Sequence, residues 1–179
     1  YGDYNPSGKL PMSFPRNVGQ CPIYYNLYNT GRPTDKDNNV FWSHYSDVEK
    51  TPLYPFGHGL SYTSFAYKNL KLEKNSIKKG ESIQLSVEVT NTGNLDGKEV
   101  VQLYINDPVA SVVRPVKELK GFELVTLKKG ETKTIQFTLT EKELGFYDNQ
   151  GEFLVESGLF NVMVGWNSNE GLTSKFNLE

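Results

Sequence analysis

The sequence is poor in the features that define several common protein classes. It has a single cysteine, Cys21, which excludes an internal disulfide framework. No apolar run approaches the roughly 18 residues that a membrane-spanning helix needs. The 19 basic and 21 acidic residues are interspersed and give a net charge of −2. No basic face is therefore offered to a phosphate backbone, and we expect neither nucleic acid nor a membrane as partner.

Histidines and catalytic signatures are also scarce. His44 and His58 are the two histidines, without the clustered Cys, His or carboxylate spacing of a metal site, so we expect no metal. His58 lies between two glycines, and a hydrogen-bonded structural role in a turn is favoured over catalysis. The sequence contains no Gly-x-Ser-x-Gly elbow and no phosphate-binding glycine loop, so we expect no cofactor.

Paired carboxylates of the kind that a glycosidase uses are not evident. The candidates are Asp3, Asp35, Asp37, Asp47 and Glu49. A working pair must be held roughly 5–10 Å apart. These residues lie in Asn-, Gly- and Lys-rich contexts that are typical of turns, and the sequence therefore assigns no catalytic residue.

From about Tyr67 onward the chain shows period-2 alternation interrupted by Gly-containing turns, which is typical of an all-β sandwich. Leu70 and Leu72 head a first predicted strand, and a short edge strand falls within 116–127. The other predicted strands are 82–90, 100–105, 132–140, 160–166 and 172–178. The 100–105 strand is apolar on both faces except at Gln102, which indicates a central position. Seven or eight strands over about 110 residues predict an immunoglobulin-like or fibronectin type III-like sandwich.

The first 66 residues lack this repeated pattern. We predict one strand there, Lys9–Phe14, with Met12 and Phe14 pointing inward. Residues 51–65, TPLYPFGHGLSYTSF, form a connector too rich in Pro and Gly for regular structure and too apolar for a solvated linker. We therefore expect this connector to be packed against another surface.

A group of aromatic residues precedes the connector: Tyr24, Tyr25, Tyr28, Phe41, Trp42 and Tyr45. Such rings stack on sugars or pack between domains, and packing is the favoured interpretation. Arg32, in the turn Asn29-Thr30-Gly31-Arg32-Pro33, has a guanidinium that can hold a carboxylate or bridge sugar hydroxyls.

Three motifs in order, GDYNPSGKLPMSFPRNVGQCPIYYN, NTGRP and TPLYPFGHGLSYTSF, precede a sandwich containing VEVTNTGNLDGKEVVQLYI. Together they resemble the C-terminal portion of a glycoside hydrolase family 3 enzyme of the β-glucosidase or β-xylosidase type. The resemblance implies that residues 1–25 are the end of an α/β sandwich domain, that 26–66 are a linker, and that 67–179 form a fibronectin type III-like domain. It therefore implies a mostly irregular segment before the all-β sandwich.

The family's nucleophile is an aspartate in a Ser-Asp-Trp context, whereas Ser46-Asp47 is followed here by Val48. The resemblance thus implies no catalytic residue in this chain. Arg32, Trp42, Tyr45 and Asp47 are its substrate-proximal candidates in an intact enzyme, on the linker.

The resemblance implies an accessory, stabilising module of a secreted or periplasmic enzyme that hydrolyses terminal β-D-glucosyl or xylosyl residues with retention. We expect this chain to be an inactive fragment whose partners are upstream catalytic domains of the same polypeptide and, in the intact enzyme, an oligosaccharide or β-glucoside. An export signal would then lie upstream of it. The connector is expected to fold onto the sandwich, to pair with another copy or to lie exposed. The alternatives are an independent carbohydrate-binding module using Trp42, Tyr45 or Trp166, and a protein-interaction domain.

Overall fold

A computed structural model describes residues 2–29, 45 and 47–179. The regular secondary structure of the described part is nearly all β, and it forms the predicted sandwich. Its elements are a 3-10 turn at Val18–Gln20, β1 (Phe65–Leu72), β2 (Ser76–Ile77), β3 (Ile83–Asn91), β4 (Gly97–Asn106), β5 (Glu118–Leu127), β6 (Thr132–Leu139), α1 (Glu141–Leu144), β7 (Phe146–Tyr147), β8 (Phe153–Leu154), β9 (Gly158–Gly165) and β10 (Gly171–Leu178).

Two sheets form the layers of the sandwich. A three-stranded sheet has the order β1-β3-β6, and a five-stranded sheet has the order β2-β10-β9-β4-β5. The pairs are antiparallel except β2 with β10, which is parallel. The short strands β7 and β8 form a separate hairpin. In the described residues, no helix is long and apolar enough to cross a membrane.

The core lies between the inner faces of the two sheets. Alternate residues of β3 point inward, including Val87 and Val89, which are completely buried. Phe160 of β9 stacks on Phe176 of β10 with ring centroids 5.5 Å apart. Each fully buried side chain of this kind contributes about 1.5–3 kcal/mol relative to exposure. This burial accounts for the alternation in the sequence.

The strand predictions are largely confirmed, with errors at particular places. Strand β4 is central, between β9 and β5, and β5 lies at a sheet edge but is ten residues long rather than short. Leu70 and Leu72 do not head the first strand, because β1 starts at Phe65. Leu70 lies in a bulge beside Asn69, whose φ is 55°, and Leu72 ends the strand. Helix α1, which Thr140 and Glu143 cap reciprocally, was not predicted.

The predicted strand at Lys9–Phe14 is wrong. Phe14 forms only an isolated bridge with Tyr54, while Leu10 exchanges backbone hydrogen bonds with residues 57 and 58. Met12 and Phe14 do not point inward, since they are 59% and 42% exposed. Pro11 has no N–H to donate, so this stretch pairs with the irregular connector at separated points rather than along a regular ladder.

Candidate functional site at the seam

The amino-terminal segment and the connector lie along the five-stranded sheet and one end of the sandwich. We call this contact region the seam. It is formed by Asn5, Lys9, Tyr25 and residues 56–63 on one side, and by Asn91, Glu99, Gln102, Tyr104 and Ser168 on the other. Its contacts join residues far apart in the sequence, so the seam fixes the irregular segment to the sandwich.

Gln102 is the polar centre of the seam. Its Nε2 donates to the carbonyl oxygens of Gly57 at 3.1 Å and Trp166 at 2.9 Å. Its Oε1 accepts from the Tyr104 hydroxyl at 2.6 Å. Gln102 is only 3% exposed, so a buried amide is satisfied by one side chain and two carbonyls. The polar interruption of an otherwise apolar strand was the sequence signal for this role.

Gly57 makes that approach possible. Its φ is 79°, and a Cβ added there would lie 2.0 Å from Gln102 Oε1. Both the left-handed backbone and the close contact therefore require glycine.

Aromatic packing surrounds this hydrogen-bonded centre. Tyr25 stacks on Phe56 with centroids 4.3 Å apart and meets Tyr104 edge-on at 5.9 Å. The Phe56 carbonyl accepts from the Ser168 amide at 2.9 Å. Burial, reinforced by nearby Tyr25, raises the pKa of Tyr104 and keeps its hydroxyl protonated as a donor. Tyr25 is thus a packing residue of the seam, as the favoured interpretation of the aromatic group predicted.

A buried ion pair fastens the amino-terminal segment to the end of the sandwich. Lys9 Nζ lies 3.0 Å from Glu99 Oε1, and their side chains are 14% and 5% exposed. The Tyr67 hydroxyl donates to the same carboxylate oxygen at 3.0 Å. Burial, and secondarily the Glu99 charge, raises the pKa of Tyr67. The Glu99 carboxylate is therefore neutralised and hydrogen-bonded, which is a structural rather than a catalytic arrangement.

Asn5 and Asn91 hold the last part of the connector. Asn5 Oδ1 accepts from Ser61 Oγ at 2.8 Å and from the Tyr62 amide at 2.9 Å. Thr63 Oγ1 donates to Asn91 Oδ1 at 2.6 Å. The connector is thus bound on both sides of Gly59, immediately before β1 begins.

The prediction that the connector packs is correct for only part of it. Phe56 and Phe65 are half-buried, and Gly57 and Thr63 are buried. Exposed apolar side chains remain at Leu53 (48%), Tyr54 (44%), Leu60 (77%) and Tyr62 (60%). The backbone of the connector is therefore anchored, while one set of its side chains faces outward.

Of the predicted substrate-proximal residues, the structure describes Tyr45 and Asp47, so their placement together with Arg32 and Trp42 stays a prediction. Arg32 and Trp42 lie outside the described residues, as do Phe41, His44, Asp35 and Asp37. Tyr45 is 43% exposed, and Asp47 and Asp3 are exposed.

Other candidate groups have structural partners. Glu49 pairs with Arg16 at 2.7 Å, and the His58 ring stacks on Tyr54 at 5.1 Å in a turn. Trp166 Nε1 donates to Glu170 at 2.9 Å and its ring packs on Tyr67, which argues against Trp166 as a free sugar platform. Across residues 2–29, 45 and 47–179, no group of three His, Cys, Asp or Glu side chains forms a metal site.

Both parts of the chain match models of known protein families. Residues 1–62 match the family model of the glycosyl hydrolase family 3 C-terminal domain, and residues 99–168 match that of a fibronectin type III-like domain. The periplasmic beta-glucosidase of Salmonella typhimurium is 50% identical over 169 residues, which cover 94% of this chain and 22% of that protein. A beta-xylosidase of Formosa agariphila is 49% identical over 168 residues, with 94% and 22% covered.

A solved structure shares the same arrangement. The beta-glucosidase from Listeria innocua in complex with isofagomine is 44% identical, with a TM-score of 0.94 over 99% of this chain and 25% of that one. The chain spans about a fifth of the length of the curated relatives it matches. It belongs to glycoside hydrolase family 3 and corresponds to the C-terminal portion of the family's β-glucosidases and β-xylosidases.

Proposed function

We propose that this chain is an accessory, stabilising module that fixes the C-terminal part of a family 3 catalytic body to a fibronectin type III-like sandwich. The observation that carries the proposal is the seam. The segment that matches the family 3 C-terminal domain is held by a buried ion pair, a buried amide and stacked aromatic rings. The division into residues 1–25, 26–66 and 67–179 belongs to this proposal.

The proposed parent enzyme hydrolyses terminal, non-reducing β-D-glucosyl or xylosyl residues with retention of configuration. The names of the relatives, beta-glucosidase and beta-xylosidase, support this substrate class. The name of the Salmonella relative supports a periplasmic or secreted location. The proposed partners of the module are upstream catalytic domains of the same polypeptide.

The linker carries the proposed contact with substrate. Arg32, Trp42, Tyr45 and Asp47 are placed by this proposal near the active-site mouth of the intact enzyme. In the longer polypeptide, Tyr45→Ala should lower kcat/KM about tenfold, a loss of about 1.4 kcal/mol of transition-state stabilisation. Tyr28→Ala, which removes another exposed tyrosine, is the matched control. Equal kinetics in the two variants would refute the placement of Tyr45.

Activity of the isolated chain tests the accessory role directly. The purified chain should release no nitrophenol above background from p-nitrophenyl β-D-glucoside or β-D-xyloside. The longer polypeptide should hydrolyse at least one of the two. Turnover by the isolated chain that survives a second purification step would show that it carries its own catalytic groups and would overturn the proposal.

A further inference from the structure

The outer face of the five-stranded sheet carries a cleft of about 640 Å³ next to the seam. Its floor consists of residues in register across three strands. Lys175 of β10 pairs with Asn161 of β9, which pairs in turn with Asn106 of β4. In the next row, Met163 lies between Tyr104 and Thr173. The floor therefore presents a polar row beside a mixed row that contributes the Met163 thioether.

The polar row contains side-chain atoms that can form further hydrogen bonds. Asn161 Nδ2 donates to Asn106 Oδ1 at 2.9 Å, which orients both amides and leaves Asn161 Oδ1 as an acceptor. The Asn161 and Lys175 side chains are exposed, and Met163 is half-buried. Fixed amides beside a thioether suit a pyranose, since a sugar ring offers hydroxyls at its edge and C–H groups on its face.

The charges around the cleft have one sign. Lys117 and Lys175 both line it, and none of the described residues lining it is acidic. The ammonium of Lys117 donates to the Ser168 carbonyl oxygen. Within the described part of the chain, neither lysine forms an ion pair with a carboxylate.

Lys117 is the more unusual of the two lysines. It is half-buried, and burial lowers the pKa of its ammonium because the charged form is desolvated. A bound carboxylate would offset that desolvation with a charge-assisted hydrogen bond. The cleft thus combines a partly buried cation, an exposed cation and an amide row.

We propose that this cleft binds a carboxylate-bearing β-linked saccharide, with the carboxylate at Lys117 and Lys175 and the sugar ring on Asn161 and Met163. This proposal goes beyond the accessory role, and its failure would leave that role untouched. It also differs from a binding surface built on Trp42, Tyr45 or Trp166.

Two matched disaccharides test the charge preference. Cellobiouronic acid carries one carboxylate where cellobiose carries a hydroxymethyl group, and the two are otherwise alike. Titrations of the isotope-labelled chain followed by NMR should show saturable shifts of the amides of 104–106, 117, 161–163 and 173–175 with cellobiouronate. Cellobiose should bind about tenfold or more weakly, as expected for one lost charge-assisted hydrogen bond. Equal affinity for the two sugars, or shifts that do not localise to the cleft, would overturn the proposal.

Variants locate the carboxylate. Lys117→Met should abolish measurable binding, and Lys175→Met, an exposed change with little risk to folding, should weaken it about threefold to tenfold. Lys68→Met, on the other sheet, is the matched control and should bind as the original chain does. Unchanged affinity in Lys175→Met would overturn the proposal even if Lys117→Met failed to fold.

The longer polypeptide provides the last test. It should retain the cellobiouronate affinity of the 179-residue chain. If the affinity is lost there, the cleft is a packing surface for the upstream domains and the proposal is wrong.

Discussion

Gly57→Ala should destabilise the chain far more than Gly130→Ala, although the two glycines have similar left-handed φ values of 79° and 74°. An alanine in this conformation costs about 1–2 kcal/mol at either position. At Gly130 nothing lies within 4 Å of the added Cβ, whereas at Gly57 the Cβ would lie 2.0 Å from Gln102 Oε1. The Gln102 side chain must then move.

That movement breaks hydrogen bonds to the Gly57 and Trp166 carbonyls and removes the acceptor of Tyr104. One buried polar group left unsatisfied costs about 1–3 kcal/mol. We therefore expect a total of about 2–5 kcal/mol for Gly57→Ala, against about 1–2 kcal/mol for Gly130→Ala.

Urea denaturation followed by tryptophan fluorescence gives the two free energies of unfolding. Hydrogen exchange at the Ser168 amide, which donates to Phe56, reports on the seam itself and should accelerate in Gly57→Ala alone. If the two variants lose the same stability to within about 0.5 kcal/mol, the close approach of Gln102 does not stabilise the seam.

Three further changes test other contacts. Lys9→Met should cost about 3 kcal/mol in urea denaturation because it leaves Glu99 buried and unpaired, and adding Glu99→Gln should recover part of the loss; no recovery would contradict this account. Burial raises the pKa of the Asp107 carboxyl in the folded state above its ordinary value of 3.8. Between the unfolded and the folded pKa, the folded state holds more protons than the unfolded state, so the free energy of unfolding falls as the pH rises. In urea denaturation, the free energy of unfolding of the original chain should therefore fall relative to that of Asp107→Asn between pH 4 and pH 7. A difference between the two chains that does not change with pH would contradict this prediction. Tyr25→Ala should cost about 2 kcal/mol through lost stacking, whereas Tyr25→Phe should cost under about 1 kcal/mol; similar losses would show that the hydroxyl matters more than the ring.

The sandwich could be predicted because its strands are half-buried. From Ile83 to Val89, side chains that point into the core alternate with side chains that are more exposed, and apolar and polar residues alternate in the same way. The start of β1 could not be located in this way, since Phe65 belongs to an apolar connector without alternation. Strand 9–14 was predicted from local apolar spacing, but its hydrogen-bond partner is irregular, which local spacing cannot reveal.

In the sequence, only single residues of the seam could be recognised, and not the contacts between them. Gln102 was recognised as the polar interruption of β4, yet its partner Gly57 lies 45 residues earlier in the chain. Lys9 and Glu99 are separated by 90 residues, with no sequence pattern that couples them. Family resemblance indicated that the connector joins two bodies, whereas the particular contacts depend on how the chain folds back on the sheet.

The anchoring of the connector on both sides of Gly59 has a mechanical consequence. A hinge needs residues whose φ and ψ can change without breaking contacts. Between Phe56 and Phe65, hydrogen bonds to Gln102, Ser168, Asn5 and Thr92 fix the backbone almost to the first residue of β1. The sandwich should therefore rotate with the amino-terminal segment as one rigid lever, and any swinging of this module within a larger enzyme must originate at a joint elsewhere.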